Sequence, residues 1–404
     1  MTHGRPTGQR RHSLPDPKTI LFVLGSVSLL AMAGACTSAP GTAGRSPSTG
    51  GSAISMPLAN ATAGPETSWA VLAMGHLGDA TNTFWQIFHR SGASMRWELS
   101  TPPGVASNGG LVATIGSSGA VTAGFEPSQG LSFSPLAQTA DEGSSWSQGL
   151  LPGGLGPGPD TLTSGEGRYL GLLRTAGGEL VGNSGDLTTW TTLATLHTLA
   201  ADPATAACGI TSLSAVTYGG TGHPVVGAAC ARGTRPGLFE LVNGRWRSVG
   251  PVLPGSASQP TQVVRLLRTP AGVTALVSVG STPASRKLFA LWSADGSGSW
   301  AVSAPLRPPA PLASTGVTAT GGLVVVTGGQ GRGRTASVVS PAGGAPWTRL
   351  PMPPSGTAVV VDGPGGTVEA LVADRSTLQV DALEAGGWHR IQTLNVDIQY
   401  GSSS

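Results

Sequence analysis

Residues able to do chemistry are thinly spread in this 404-residue chain, where only 11% of positions are charged. His76, His89, His197, His223 and His389 stand far apart, with no H-x-x-x-H or H-E-x-x-H arrangement, so neither a metal nor a cofactor is expected. His89 and His389 each precede an arginine and are expected at exposed strand ends. No G-x-S-x-G elbow offers a hydrolase serine. Gly328-Gly329-Gln330-Gly331-Arg332-Gly333-Arg334 has the glycines of a nucleotide loop but lacks its G-K-[ST] ending, and reads as a turn between strands. Asp141-Glu142 is a carboxylate pair within one tight turn. Four arginines are candidates: Arg168 and Arg174 flank one strand, and Arg265 and Arg268 share another, expected to be an inner one. Cys208 and Cys230 form an even pair for which a disulfide is expected in an oxidising compartment, with two buried thiols as the alternative. They bracket two strand-like runs, Ile210–Thr217 and Pro224–Ala229, around a glycine-rich turn.

The elements that must position these residues are short strands. From Ser68 onward, apolar runs such as Trp69–Met74, Val263–Leu267, Val273–Val279, Leu323–Val326 and Val359–Val361 alternate with Gly-, Pro- and Ser-rich turns, and no sustained 3.6-residue period occurs. An all-β domain follows. Trp97, Trp146, Trp190, Trp246, Trp300, Trp347 and Trp388 recur 49, 44, 56, 54, 47 and 41 residues apart, each after a strand and a polar or glycine turn. Such a period predicts blades, each a four-stranded antiparallel sheet. The 338 residues of 67–404 give about 48 per blade for seven blades. The fold expected is a seven-bladed β-propeller closed by the C-terminal strand, because the first unit, Ser68–Ser100, shows three strands while Asn395–Tyr400 supplies one to spare; a strand from the tether around Ile54–Leu58 is the alternative.

The turns before the tryptophans carry a family resemblance. Thr139, Asp141, Gly143 and Trp146 fit the Asp-box pattern S/T-x-D-x-G-x-x-T/W; Ser293, Asp295 and Trp300 fit it with Ser297 in the glycine position; Ser184, Asp186 and Trp190 form a version one residue shorter. The domain thus resembles Asp-box (BNR, sortilin-like) propellers. That resemblance implies a structural turn in which the aspartate accepts backbone hydrogen bonds, and it implies no activity. Sialidases share the fold and would need three arginines converging on a substrate carboxylate, a tyrosine nucleophile with its glutamate, and an aspartate acid/base. The Phe/Tyr-Arg-Ile-Pro segment that goes with them is absent here, and Tyr169, Tyr218 and Tyr400 are the tyrosines available.

Residues 1–35 read as an export signal. Arg5, Arg10, Arg11 and Lys18 precede the uncharged run TILFVLGSVSLLAMAGA, and Ala33-Gly34-Ala35 leads to Cys36. The site resembles a bacterial lipobox, which implies that Cys36 is acylated and becomes the mature N-terminus. Ala33-Gly34-Ala35 also meets the ordinary A-x-A cleavage rule, which leaves a freely secreted protein as the alternative, and an uncleaved anchor as a third. Arg10-Arg11 also leaves twin-arginine export open. Residues 36–66 read as the lipidated cysteine and a disordered Pro/Gly/Ser/Thr tether with a reach of roughly 30 Å.

Four of the 23 basic and one of the 20 acidic residues lie in the signal, so the remainder carries 19 of each. That balance gives no reason to expect nucleic-acid binding. Two lysines among the basic residues, with abundant Ala and Gly, resemble an actinobacterial-type composition. The expectation is therefore a monomeric propeller, held at the outer face of the cell membrane by a lipid. It would act as a binding or scaffold module for a protein, glycan or cell-wall ligand, with a sialidase-like glycoside hydrolase as the alternative.

Overall fold

The computed structural model describes residues 59–398 apart from 64–65, 78, 80–81, 93, 103–109, 117–118, 128–130, 157, 166, 283–284 and 329–333. Cys36, the export signal and most of the expected tether lie outside the described residues, as does most of the glycine loop at 328–334.

The chain folds as successive antiparallel meanders. The first holds β1 (Ala59–Ala63), β2 (Thr67–Gly75), β3 (Thr83–Ser91) and β4 (Glu98–Leu99). The second holds β5 (Leu111–Ile115), β6 (Val121–Phe125), β7 (Ser134–Thr139) and β8 (Ser147–Leu151). After the short β9 (Gly154–Leu155), the third holds β10 (Leu162–Gly165), β11 (Arg168–Thr175), β12 (Gly178–Ser184) and β13 (Trp190–Thr195). The fourth holds β14 (Ile210–Tyr218), β15 (Pro224–Cys230), β16 (Gly237–Val242) and β17 (Arg245–Ser248). The fifth holds β18 (Thr261–Thr269), β19 (Gly272–Val279), β20 (Lys287–Ser293) and β21 (Ala301–Val302). The sixth holds β22 (Leu312–Val317), β23 (Leu323–Thr327), β24 (Thr335–Val339) and β25 (Thr348–Leu350). The last holds β26 (Thr357–Asp362), β27 (Val368–Asp374), β28 (Thr377–Glu384) and β29 (Gly387–Asn395). One α-helix, α1 (Leu196–Ala201), interrupts the strands, its first turn closed by a reciprocal cap between Thr195 and Thr198.

Period-2 burial on both faces explains why these runs are strands: side chains alternate, and each face packs on a different neighbour. In β2, Trp69, Val71 and Ala73 face the second meander while Ala70, Leu72 and Met74 face the last. The core accordingly lies between meanders. Separate apolar clusters join the first to the second, second to third, third to fourth, fourth to fifth, fifth to sixth, sixth to last, and last back to the first. The opening strands β1, β5, β10, β14, β18, β22 and β26 meet one another around a common axis. The tryptophan period has a simple structural meaning: each of the seven lies just before the fourth and outermost strand of its meander or at one of its first two residues.

The structure corrects the expected closure. The strand beside Trp69 is β1, paired Ala59–Leu72 through Ala63–Ser68, and it belongs to the stretch expected to be a disordered tether. Asn395 ends β29 opposite Thr377 in the last meander, and the described residues that follow it, to Ile398, add no strand to the first. The physical reason is local. Ala59 and Ala61 are small enough to enter the cluster between first and last meanders, and β1 also pairs in parallel with β22 at Ala59–Ser314 through Ala61–Gly316. After β29 the chain instead packs inward: Val396 is buried, and Leu394 and Ile398 rest on the same cluster.

First and last meanders are also tied by polar side chains. Arg90 Nη1 donates to Glu369 Oε2 at 2.6 Å and its Nη2 to the Asp362 carbonyl at 2.8 Å; Trp97 Nε1 donates to the same Glu369 oxygen at 2.9 Å. Gln392 mimics a strand, accepting from Trp97 N at 2.9 Å and donating to the Trp97 carbonyl at 2.7 Å. Arg90 lies over the Trp97 ring, 5.2 Å from its centroid.

Cys208 and Cys230 are joined in a disulfide with their Cα atoms 5.1 Å apart, closing the β14–β15 hairpin. Their sequence separation is 22. Replacing both by serine is expected to cost about 3 kcal/mol by the chain-entropy argument. Urea denaturation of the double variant checks this, and an unshifted midpoint would show that the pair stabilises nothing.

Candidate functional site

The axis is not an open channel. β18 carries Arg265 at its middle, 1% exposed, and each of its three guanidinium nitrogens donates a hydrogen bond. Its Nε donates to Asp160 Oδ2 at 2.7 Å, its Nη2 to Asp160 Oδ1 at 3.0 Å, and its Nη1 to Thr315 Oγ1 of β22 at 2.6 Å. Asp160 comes from the loop between β9 and β10. Its carboxylate also accepts from Leu266 N at 2.8 Å, and its carbonyl from Val216 N of β14 at 2.8 Å. The Asp160–Arg265 pair thus links the third, fourth, fifth and sixth meanders. The parallel β1–β22 pairing fills the same region with backbone, and Gly316 is needed there because a Cβ would collide with the Val360 carbonyl of β26.

Beyond that plug, at the C-terminal ends of β1, β5, β10 and β18, lies a cavity of about 510 Å³. The residues around it include Thr62, Ser164, Arg268 and Thr269 together with the apolar Ile115 and Pro270. Among the described lining residues none is a carboxylate, histidine, cysteine or tyrosine. Arg268 is engaged within the protein, with Nη1 3.5 Å from the Gly219 carbonyl. The Ser164 hydroxyl is buried and makes no hydrogen bond among the described residues. Gly116 leaves room for it, since a Cβ there would come within 2.5 Å of Ser164 Oγ.

The sequence-derived arginines therefore divide. Arg265 is spent on the axis, Arg268 lines the cavity, and Arg168 and Arg174 sit exposed at either end of β11. Asp160, which organises the centre, was not among the expected residues; in Gly158-Pro159-Asp160 it carries the signature of an ordinary turn. His89 is a second correction. Expected at an exposed strand end, it is buried, stacked on Trp69 with centroids 5.1 Å apart, its Nδ1 2.7 Å from Ser100 Oγ. Burial pushes its pKa below the ordinary histidine value. Gly143 covers the serine so closely that a Cβ would come within 2.5 Å of its hydroxyl, which makes the pair a packing contact between meanders. No group of three or more His, Cys, Asp or Glu side chains among the described residues could hold a metal ion.

In each of the three aspartate turns the carboxylate accepts from the hydroxyl two residues before it and from a backbone N–H two to four residues after it. Asp141 accepts from Ser145 N at 2.9 Å, Ser145 Oγ at 2.6 Å and Thr139 Oγ1 at 2.7 Å. Asp186 accepts from Thr188 N, Thr189 N and Ser184 Oγ at 2.8, 2.7 and 3.1 Å. Asp295 accepts from Ser297 N at 2.9 Å and from Ser293 Oγ at 3.1 Å. Gly143 and Gly296 adopt φ of +87° and +78°; in the shorter turn Leu187 takes φ of 63°. The tryptophans that follow reach back to the preceding meander. Trp146 packs edge-on against Trp69 at 6.4 Å, Trp190 Nε1 donates to the Leu150 carbonyl at 2.8 Å, and Trp300 packs on the cluster between fourth and fifth meanders.

Hydrogen bonds from the Ser145 hydroxyl and backbone, then from Thr139, hold the Asp141 pKa down to about 2, and those from Ser297 lower that of Asp295. A depressed folded value means that this contribution to stability is complete above the unfolded aspartate value of about 3.9 and is lost as pH falls through about 2. Carboxyl-selective NMR titration of Asp141 should give a midpoint well below 3, and a midpoint near 4 would refute the turn geometry.

No protein family matches the chain, and no curated protein is similar to it in sequence. Solved structures do match in fold. The periplasmic gluconolactonase of Pseudomonas aeruginosa superposes with a TM-score of 0.51 at 12% identity, covering 82% of this chain and 96% of that one. A putative 6-phosphogluconolactonase of Bacteroides uniformis gives 0.49 at 14% identity, covering 82% and 97%. The six-bladed Aleuria aurantia lectin gives 0.42 at 12% identity, covering 86% and 98%. The fold held in common is the β-propeller.

Proposed function

We propose that the protein is an extracytoplasmic β-propeller of seven blades, anchored by a lipid on Cys36, that binds a ligand in the cavity at one end of its axis. The observation that carries the reading is the cavity itself, of a size usual for small-molecule sites and backed by a sealed centre. Packing of the last meander on the first supports a ring of seven. The chain enters β1 at Ala59, the end away from the cavity.

Binding suits the lining better than catalysis. A sialidase-like reaction needs arginines converging on a carboxylate and an acid/base pair beside them. Arg265 is instead neutralised by Asp160, and the described lining residues supply no acid or base. The test has two arms. Cys36→Ala should move the protein from the membrane fraction to the medium or leave unprocessed precursor, whereas wild-type protein already soluble and free of lipid mass would remove the anchor. The purified protein screened against cell-wall fragments and glycosides should bind without turnover, and cleavage of any of them would replace the binding reading with the hydrolase.

A further inference from the structure

The end of the domain away from the cavity gathers basic residues on one side. β1 and β18 both run toward the cavity, so Ala59 and Thr261 mark this end, and the pairing of Cys230 and of Val279 with Thr261 brings the ends of β15 and β19 to it. Residues 231–236 join β15 to β16, 249–260 lead into β18, 280–286 join β19 to β20, and 303–311 lead into β22. These segments are stitched together. Ser256 Oγ donates to the Thr234 carbonyl at 2.6 Å and Gly280 N to the Pro260 carbonyl at 2.9 Å. Leu288 and Leu306 exchange backbone bonds of 2.8 and 2.9 Å, which set Lys287 beside Arg307.

With Lys287, the four segments hold Arg232, Arg235, Arg286 and Arg307 and not one Asp or Glu. Arg232, Arg235 and Arg307 are exposed, and the half-buried Lys287 brings its ammonium over the turn at Gly255, 3.5 Å from where a Cβ would stand. Among the described residues Arg232, Lys287 and Arg307 make no ion pair. Carboxylates at the same end, Asp79, Glu126, Glu179, Asp202 and Asp374, belong to or follow the first, second, third and last meanders. Val252 lies between the cations, 62% exposed; on one side Arg235 Nη1 donates to the Gly250 carbonyl at 2.6 Å, and on the other is Gly255 under Lys287. Unneutralised cations around an exposed aliphatic side chain suit an anionic bilayer, where the charges meet phosphates and the apolar group meets the acyl boundary. A soluble polyanion would engage the cations and leave Val252 in water. The chain also enters the domain at this end, at Ala59.

We propose that this end docks on an anionic phospholipid surface, with Arg232, Lys287 and Arg307 against headgroup phosphates and Val252 at the acyl boundary. Docking turns the cavity mouth away from the bilayer. It adds a contact to the anchored reading above and is tested without the lipid. Residues 36–404 carrying Cys36→Ser keep every described element, and with Cys208 and Cys230 joined, an added cysteine is the one free thiol. Val252→Cys is labelled with an environment-sensitive fluorophore, and so is Met95→Cys, 68% exposed between β3 and β4 at the cavity end. The label at 252 should brighten and shift to the blue on phosphatidylcholine vesicles containing phosphatidylglycerol, and not on phosphatidylcholine alone, while the label at 95 stays unchanged. Replacing Arg232, Lys287 and Arg307 together by glutamine should weaken vesicle affinity on the order of a hundredfold, at about fivefold per charge. The same replacement of Arg96, Arg168 and Arg245, exposed at the cavity end, should leave it near that of the parent chain. A response at 95 in place of 252, or equal losses from the two triple variants, overturns the docking face. A response of the 252 label to dextran sulfate equal to that on vesicles overturns the lipid occupant in favour of a soluble polyanion. Absence of vesicle binding overturns docking altogether, while the anchored reading is decided separately by the Cys36→Ala fractionation.

Discussion

Removing residues 37–63 is expected to abolish the folded domain, whereas truncation after Ile398 should leave its unfolding midpoint almost unchanged. The first deletion takes β1, which hydrogen-bonds to β2 along its whole length and to β22 over Ala59–Ala61. Without it, backbone groups near Trp69 and around Ser314–Gly316 face the interior with no partners, each costing about 1–3 kcal/mol. Several such losses exceed the roughly 5–15 kcal/mol by which a domain is stable at all. Ala59 and Ala61 would also leave the cluster that packs the first meander on the last. The C-terminal truncation spares Val396, whose backbone N–H meets the Ser376 carbonyl, and so keeps the buried end of the chain. Circular dichroism melts of the two deletions decide the matter. A cooperative melt for the first, near that of the intact protein, would show that β1 is dispensable.

This result bears on what the sequence could tell. The tryptophan period was legible because each indole stands at the start of an outermost strand, within a residue of its first position, and packs against a neighbouring meander, a demand repeated at every unit. The Cys208–Cys230 link was legible from two strand-like runs folding back on each other. β1 was not. Its sequence, Ala-Asn-Ala-Thr-Ala, has little strand propensity, and it is a strand because β2 and β22 offer it hydrogen bonds. His89 misled for a related reason: His-Arg at a strand end reads as surface, but Trp69, its partner across the β2–β3 pairing, and Ser100 of the same meander cover the imidazole. The cavity escaped sequence reading because its wall gathers single residues from the ends of four strands.

Asp160→Ala is expected to destabilise the domain by about 5 kcal/mol. Arg265 would keep its charge at 1% exposure with Thr315 as its remaining hydrogen-bond partner among those described, and breaking a buried pair on one side costs about 3–5 kcal/mol. Leu266 N–H would lose its acceptor as well, adding about 1–3 kcal/mol, which places the expected sum at or above the top of that range. Asp160→Asn should lose less, because the amide oxygen can still accept from Leu266 N–H while the charge goes uncompensated. Adding Arg265→Met to Asp160→Asn should recover part of the loss, since it withdraws the buried charge and fills its space with a flexible apolar chain. The order alanine, asparagine, double variant in urea midpoints, from least to most stable, is what distinguishes a charge-locked axis from a generally sensitive core. Asp160→Ala within about 1 kcal/mol of the wild type would mean that the pair does not hold the centre. The same lock determines how the cavity can work. β18 carries Arg265 at its middle and Arg268 and Thr269 at its cavity end, so the strand that shapes the wall is fixed by the ion pair behind it. A ligand at that wall meets side chains whose backbone is already ordered, and the ordering cost of binding falls accordingly.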